Sequence, residues 1–182
     1  MKAMFNHALC TTAALFAASM IAGAAMAADS AKSSVSGRDK QFMIKAAEDG
    51  MAEVMTGKLA QSNGASGEVK KFGERMAQDH SKAGDELKAI ALQKGVTLPA
   101  DTDRTHKRLA KQLQNLQGDK FDRVYARESG VKDHRSAVAL YTREAQKGTD
   151  PDVKAFAAKT LPTLKEHLQM AESMHDAVMP RQ

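Results

Sequence analysis

The sequence predicts an all-α fold: a bundle of four long helices and one short one. Three observations point there. Apolar residues recur at steps of three and four along long stretches, as in Val69, Phe72, Met76, Ala83, Leu87 and Ile90. Glycine, proline and capping residues divide these stretches at intervals suited to antiparallel helices and short turns. No segment sustains the period-two alternation of a half-buried strand.

The chain of 182 residues begins with a stretch that stands apart from the fold. Lys2 is followed by an almost wholly small or apolar run from Ala8 to Ala25. Ala25-Met26-Ala27 then forms a small-x-small cleavage site, so residues 1–27 read as a secretory signal peptide cut after Ala27. The run is too Ala-rich and too short of strongly apolar residues for a retained anchor. Removing it leaves no transmembrane segment and takes away Cys10, the only cysteine. Stability then rests on packing, in a compartment where disulfides would be allowed. About 155 residues remain, enough for one single-core domain.

Residues 28–38 are rich in Ser, Lys and Gly and read as a disordered arm, with a helical domain over 39–180. Helix one is expected from an Asp39 N-cap to Ser62, with Met43, Ile44, Ala47, Met51, Val54 and Met55 facing inward and Glu53 at the edge of that face. Asn63-Gly64 is a stop signal, with Gly64 suited to a left-handed C-cap. Ser66 caps helix two, Glu68 favours its first turn, and Gly95 ends it. His80 falls into its apolar stripe. Val96 to Thr102 is an extended connection, since Pro99 disfavours helical geometry at Leu98.

A short helix is expected from Asp103 to Leu116, with His106, Leu109, Leu113 and Leu116 in its seam. Gly118 breaks the chain before a fourth helix from Asp119 to Lys147, interrupted by Gly130. Gly148-Thr149-Asp150-Pro151 combines a stop, a cap and a proline at the first helical position. The fifth helix runs to about Met179; Pro162 falls inside it and predicts a kink.

An acidic residue beside a histidine recurs on three of the long helices: Asp79-His80, Asp133-His134 and Glu166-His167. Further markers are Phe42 to Leu59 (F-x3-A-x3-G-x2-E-V-x2-G-x-L), Val69 to Leu98 (V-K-x-F-x3-M-x2-D-H … L-x2-I-A … G-V-x-L-P), Phe121-Asp122-x2-Tyr125, and Leu161-Pro162-x-Leu164-x2-His167-Leu168. Together they resemble the secreted bacterial proteins of domain of unknown function 4142, often labelled outer membrane proteins. The resemblance spans nearly all of the chain after the leader. It implies a ferritin-like four-helix bundle with an additional short helix, exported to the periplasm or envelope, and brings no settled activity.

A ferritin-like fold raises the question of metal. Di-iron members take a Glu from each of two helices and a Glu-x-x-His pair from each of the other two. None of the three doublet histidines ends a Glu-x-x-His pair: Ala77, Val131 and Leu164 stand three residues before His80, His134 and His167. Neighbours on a helix point about 100° apart, so each acid–histidine doublet can send at most one ligand inward. The metal-ligand candidates are therefore Glu53, His80, His134 and His167, a non-standard set for a transition metal ion. The alternative is structural: a seam histidine bonded to a carboxylate on the next helix fixes the register of the bundle. Three imidazoles converging within about 4–5 Å would mark a shared ion; dispersed ones would mark the structural role.

Other classes are excluded by what is missing. The leader holds one of the 27 Lys and Arg and none of the 22 Asp and Glu, so the rest of the chain carries +4, with both signs interspersed. Nucleic-acid binding needs a clustered basic face, and none is visible. There is no G-x-S-x-G elbow, no glycine-rich phosphate loop and no thiol nucleophile after the leader. Seven of the 11 methionines lie beyond the leader at helical spacing, as core filling rather than a copper box. No catalytic residue is assigned. The first functional expectation is a non-enzymatic envelope interaction or stress-protective module, with an envelope partner; the alternative is a metal-binding, redox-capable bundle.

Overall fold

Capping side chains account for four helix starts in the computed structural model, which describes residues 35–179. The leader at 1–27 and most of the arm at 28–38 lie outside the described residues. Helix α1 spans Gly37–Asn63. Its cap is Ser36 rather than Asp39, because the Ser36 hydroxyl accepts the Asp39 N–H at 3.2 Å. Asp39 instead sits in the first turn, fully buried, and ties α1 to a distant turn: its carboxylate accepts from Thr149 N, Thr149 Oγ1 and Asp150 N at 2.6–3.2 Å. Burial works against the charged form, but these bonds outweigh it and hold Asp39 down at about 2.

Helix α2 spans Gly67–Lys94 behind its Ser66 cap and ends at Gly95, whose φ of 66° is the left-handed conformation that favours glycine. Gly64 is different. It is extended (φ −66°), so conformational freedom is not what it supplies. A Cβ there would lie 2.8 Å from Ala60 O and 3.1 Å from Asp122 Oδ1, so close approach demands glycine. Asp122 lies on the next-but-one helix and binds the Ala65 and Ser66 amides at 3.1 and 2.8 Å.

Helix α3 (Arg104–Gln114) starts behind an Asp103 cap and ends against Asn63, whose amide donates to Leu113 O and Leu116 O. Next comes α4 (Gly118–Tyr125), then a wider π-helical segment (Ala126–Asp133), then α5 (His134–Lys147). The expected fourth helix is thus one rod with a π stretch in its middle. Helix α6 spans Pro151–Val178 and runs through Pro162 unbroken. Pro162 and Ala158, whose carbonyl loses its partner, both face solvent, where that carbonyl is open to hydration. Among the described residues there is no strand, and the all-α bundle expected from the sequence is what forms.

Helices α1 and α2 pack closest through a pair of glycines. A Cβ on Gly57 would lie 2.5 Å from Gly73 O, and one on Gly73 would lie 2.5 Å from the Ala60 Cβ. This crossing rotates the inward face of α1 away from the expected one. Beyond Asp39, its buried residues are Phe42, Met43, Ala46, Ala52, Glu53, Thr56, Gly57 and Ala60, with the bulkier Met51, Val54 and Met55 at the flanks. Gly57→Ala should therefore push the two backbones apart and cost about 1–3 kcal/mol. An unchanged denaturation midpoint would show that the helices can separate freely.

The core falls into two apolar clusters. One gathers Phe42, Met43, Leu87, Tyr141, Val153, Phe156 and Leu164; the other gathers Val69, Phe72, Met76, Leu113, Phe121, Tyr125 and Met174. At the outer end of the first, Glu144 is buried. Burial and the nearby Asp39 carboxylate push it up to about 7. A carboxyl with a raised folded-state value contributes stability that is complete below about pH 4.5 and lost as pH rises through 7. Glu144→Gln should remove that loss. The stability advantage of the variant should grow by about 1–3 kcal/mol between pH 5 and pH 8; an advantage independent of pH would contradict this.

Candidate metal centre

Between the two apolar clusters each long rod contributes one polar side chain. Glu53 comes from α1, His80 from α2, His134 from the first turn of α5 and His167 from α6. His134 and His167 are buried to 1 % exposure and Glu53 to 5 %; His80 is half-buried. The helical phase explains the level. Each histidine continues an apolar stripe: Met76–His80–Leu87, Ala126–His134–Ala137 and Leu164–His167–Ala171.

The three imidazoles converge. Their ring centroids form a nearly equilateral triangle of 5.7, 5.6 and 5.5 Å sides. One ring nitrogen from each lies within 4.8 Å of the other two. A shared ion at about 2.0–2.1 Å from each nitrogen needs them roughly 3.3–3.6 Å apart, a contraction that side-chain rotation can supply.

The outward-facing nitrogens define what the inward ones can do. His134 Nδ1 faces the Ser129 and Gly130 carbonyls at 3.0 and 2.9 Å. Both are acceptors only, so Nδ1 carries the proton and Nε2 keeps its lone pair. Those carbonyls belong to the π segment, and π turns recur at functional sites. His167 Nε2 donates to Asp79 Oδ2 at 2.8 Å, leaving its Nδ1 with the lone pair. His80 Nε2, His134 Nε2 and His167 Nδ1 are all buried without a hydrogen-bond partner among the described residues. Burial holds all three imidazoles below their usual range, His134 at about 4, so each is neutral at neutral pH. His134, held by carbonyls, and His167, held by a carboxylate, thus have the usual form of metal-binding histidine, with the far nitrogen oriented by a partner.

The acidic partners of the three doublets turn sideways, as the 100° offset requires. Asp79 reaches His167 on α6. Glu166 reaches Arg75 on α2 at 3.1 Å, and Arg75 Nε returns to Asp79 at 3.2 Å. Burial raises Asp79, but its bonds to His167 and Arg75 prevail and keep it ionised below the usual carboxylate range. Asp133 reaches His106 on α3, 3.6 Å away.

Glu53 does not join the three nitrogens. Its Oε1 lies 3.7 Å from His134 Nδ1, behind the ring, while Oε2 has no partner. Burial, then the Asp133 and Asp49 charges, push its carboxyl well above the ordinary range. A second group, Asp49, Asp103 and His106, brings one ligand atom from each within 4.8 Å of the others. The sequence placed His106 in a seam but offered no link to Asp49, which lies 54 residues earlier than Asp103. The only available signal was a histidine and two acids at helix edges, too common to act on.

Fold and site together define an all-α bundle with a three-histidine cluster at its waist. The chain belongs to the family described as domain of unknown function (DUF4142), whose pattern matches residues 24–174. A solved structure, a DUF305 fragment from Deinococcus radiodurans, superposes with a TM-score of 0.69 at 13 % identity, covering 79 % of this chain and 98 % of that one. At that identity the likeness concerns the fold alone. No curated protein matches the chain.

Proposed function

We propose that this protein is an exported helical-bundle protein of the bacterial periplasm or envelope that binds one transition metal ion through His80, His134 and His167. The observation that carries the reading is that three imidazoles from three helices bring a ring nitrogen each within 4.8 Å of the others, and that each ring has a buried nitrogen without a hydrogen-bond partner among the described residues. A purely register-fixing histidine needs one bonded nitrogen and has no reason to aim the other at two more imidazoles. Unmet lone pairs in a buried site are costly, and a cation is the partner common to all three. The donor set suits Zn, Cu, Fe, Ni or Co by ligand type. Three imidazoles leave a fourth position for water.

A di-iron centre is disfavoured by the same geometry. The nearby carboxylates, Asp79 and Glu53, face the far sides of His167 and His134. Export rests on the leader pattern, and among the described residues no helix is long and apolar enough to cross a membrane. Ion buffering or protection of the envelope from free metal fits a protein with no assigned catalytic residue. Metal analysis of untagged protein purified from the periplasm should find about one ion per chain. Protein free of metal that also fails to take up Zn2+, Co2+ or Cu2+ after chelation would overturn the reading.

A further inference from the structure

His134 and His167 are almost wholly buried, so an ion must reach them through side chains. Two openings lead toward the cluster. One is a groove of about 280 Å³ between α1 and α2, which ends at His80. Its walls are mostly apolar, with Ala46, Ala47, Met51, Val54 and Leu87 among them, and Ser81 and Asp85 are among its few oxygen-bearing side chains, so a hydrated cation finds little in exchange for its water. The other is polar and has two chambers. The outer one is an open cleft of about 530 Å³ whose walls include Lys45, Asp49, Asp103, His106 and Asp133. The inner one is a cavity of about 20 Å³, lined by Asp49, Glu53, His80, His106, Asp133 and His134 among others. That is room for about one water or one ion. Asp49, His106 and Asp133 line both chambers and form the wall between them.

Resting on the three-histidine reading, we propose that Asp49, Asp103 and His106, with Asp133, form the loading port through which a divalent cation passes to the buried histidines. Lys45 is the resident cation that keeps the port shut. Two separate observations support it. Donor atoms of Asp49, Asp103 and His106 lie within 4.8 Å of one another, a spacing able to take a partly dehydrated ion. Beyond them, Glu53 and His134, 95 % or more buried, line the inner cavity, and Glu53 Oε2 and His134 Nε2 have no partner among the described residues. Oxygen and nitrogen donors thus continue from the cleft to the cluster, replacing water ligands stepwise. Lys45 Nζ now occupies the mouth, 2.6 Å from Asp49 Oδ1 and 2.9 Å from Asp103 Oδ2. Its side chain is 44 % exposed, so it can swing aside without unfolding anything.

A port changes rates and leaves the end state alone, which makes it testable. Co2+ uptake by the purified, chelator-treated full protein would be followed by stopped-flow absorption, and its loss by chelator competition. Asp49→Asn and Asp103→Asn should each slow uptake and release by the same factor, about tenfold, with Kd changed less than twofold. Asparagine still caps α3 at position 103, so that variant keeps its fold. Lys45→Met should accelerate both rates. Gly84→Leu, which narrows the apolar groove at a site where a Cβ meets nothing within 4 Å, should change neither. Unchanged rates in the aspartate variants would overturn the port while leaving the histidine site standing. So would slower uptake with unchanged release, which marks general attraction, or slowing by Gly84→Leu alone. Wild-type protein that takes up no Co2+ would instead sink the three-histidine reading itself.

Discussion

Replacing Leu87 by alanine is expected to lower the unfolding free energy by about 2–5 kcal/mol. Leu87 is 1 % exposed and packs with Phe42, Tyr141 and Phe156 in the apolar cluster that borders the three histidines. Truncation removes the transfer energy of the lost methyl groups and leaves a cavity among three aromatic rings. Lys88, one position on, faces solvent. The same change there should stay within about ±0.5 kcal/mol. Urea titrations of the two variants would check both at once, and matching midpoints would mean that the face of α2 has been misassigned. The expected loss is a large share of the total, since domains of this size are stable by only about 5–15 kcal/mol.

That helix shows what was legible in advance. The stripe Val69, Phe72, Met76, Leu87 is buried as its spacing requires, because α2 has one broad apolar face and clear caps. The boundaries at Ser66, Gly95 and Asp150-Pro151 also follow from local chemistry that no distant contact overrides. Helix α1 was harder. Its larger side chains suggested a face built on Met51, Val54 and Met55, but the Gly57–Gly73 crossing favours small residues and leaves those methionines half-buried at the flanks. Side-chain size predicts burial only until two backbones touch. The π segment was hidden for a related reason: Gly130 reads as a weak spot, not as a change of winding, and the segment is held by what it packs against. A Cβ at Gly130 would lie 3.2 Å from the Met174 Cε.

The site was half legible. Three acid–histidine doublets on three helices, each with one member inward, follow from helix periodicity alone. Whether the inward members meet depends on the axial offset between helices, which turns such as Gly64–Ser66 and Gly148–Asp150 determine. Those offsets are fixed by Asp122 and Asp39, each reaching across more than 50 residues of chain. No local pattern announces such pairings. The same applies to Asp79, whose partner His167 is 88 residues away.

The strongest consequence concerns stability in the presence of metal. At a free ion concentration of 100 times Kd, a ligand bound only by the folded state adds about 2.7 kcal/mol, a rise in melting temperature of about 5–10 °C for a domain of this size. Zn2+ or Co2+ should produce that shift and excess chelator should reverse it. His80→Gln should abolish the response while leaving the metal-free protein within about 1 kcal/mol of wild type, because His80 Nε2 has no hydrogen bond to lose. That combination separates a ligand from a structural histidine, whose loss would cost stability with or without metal. Asp79→Asn tests the outer layer. An amide can still accept from His167 Nε2, but it withdraws the negative charge that makes the ring a strong donor. Affinity should fall about 10–100-fold with the shift still reachable at higher concentration. A melting temperature indifferent to both metal and chelator, with His80→Gln destabilised in either condition, would return the three histidines to a structural role.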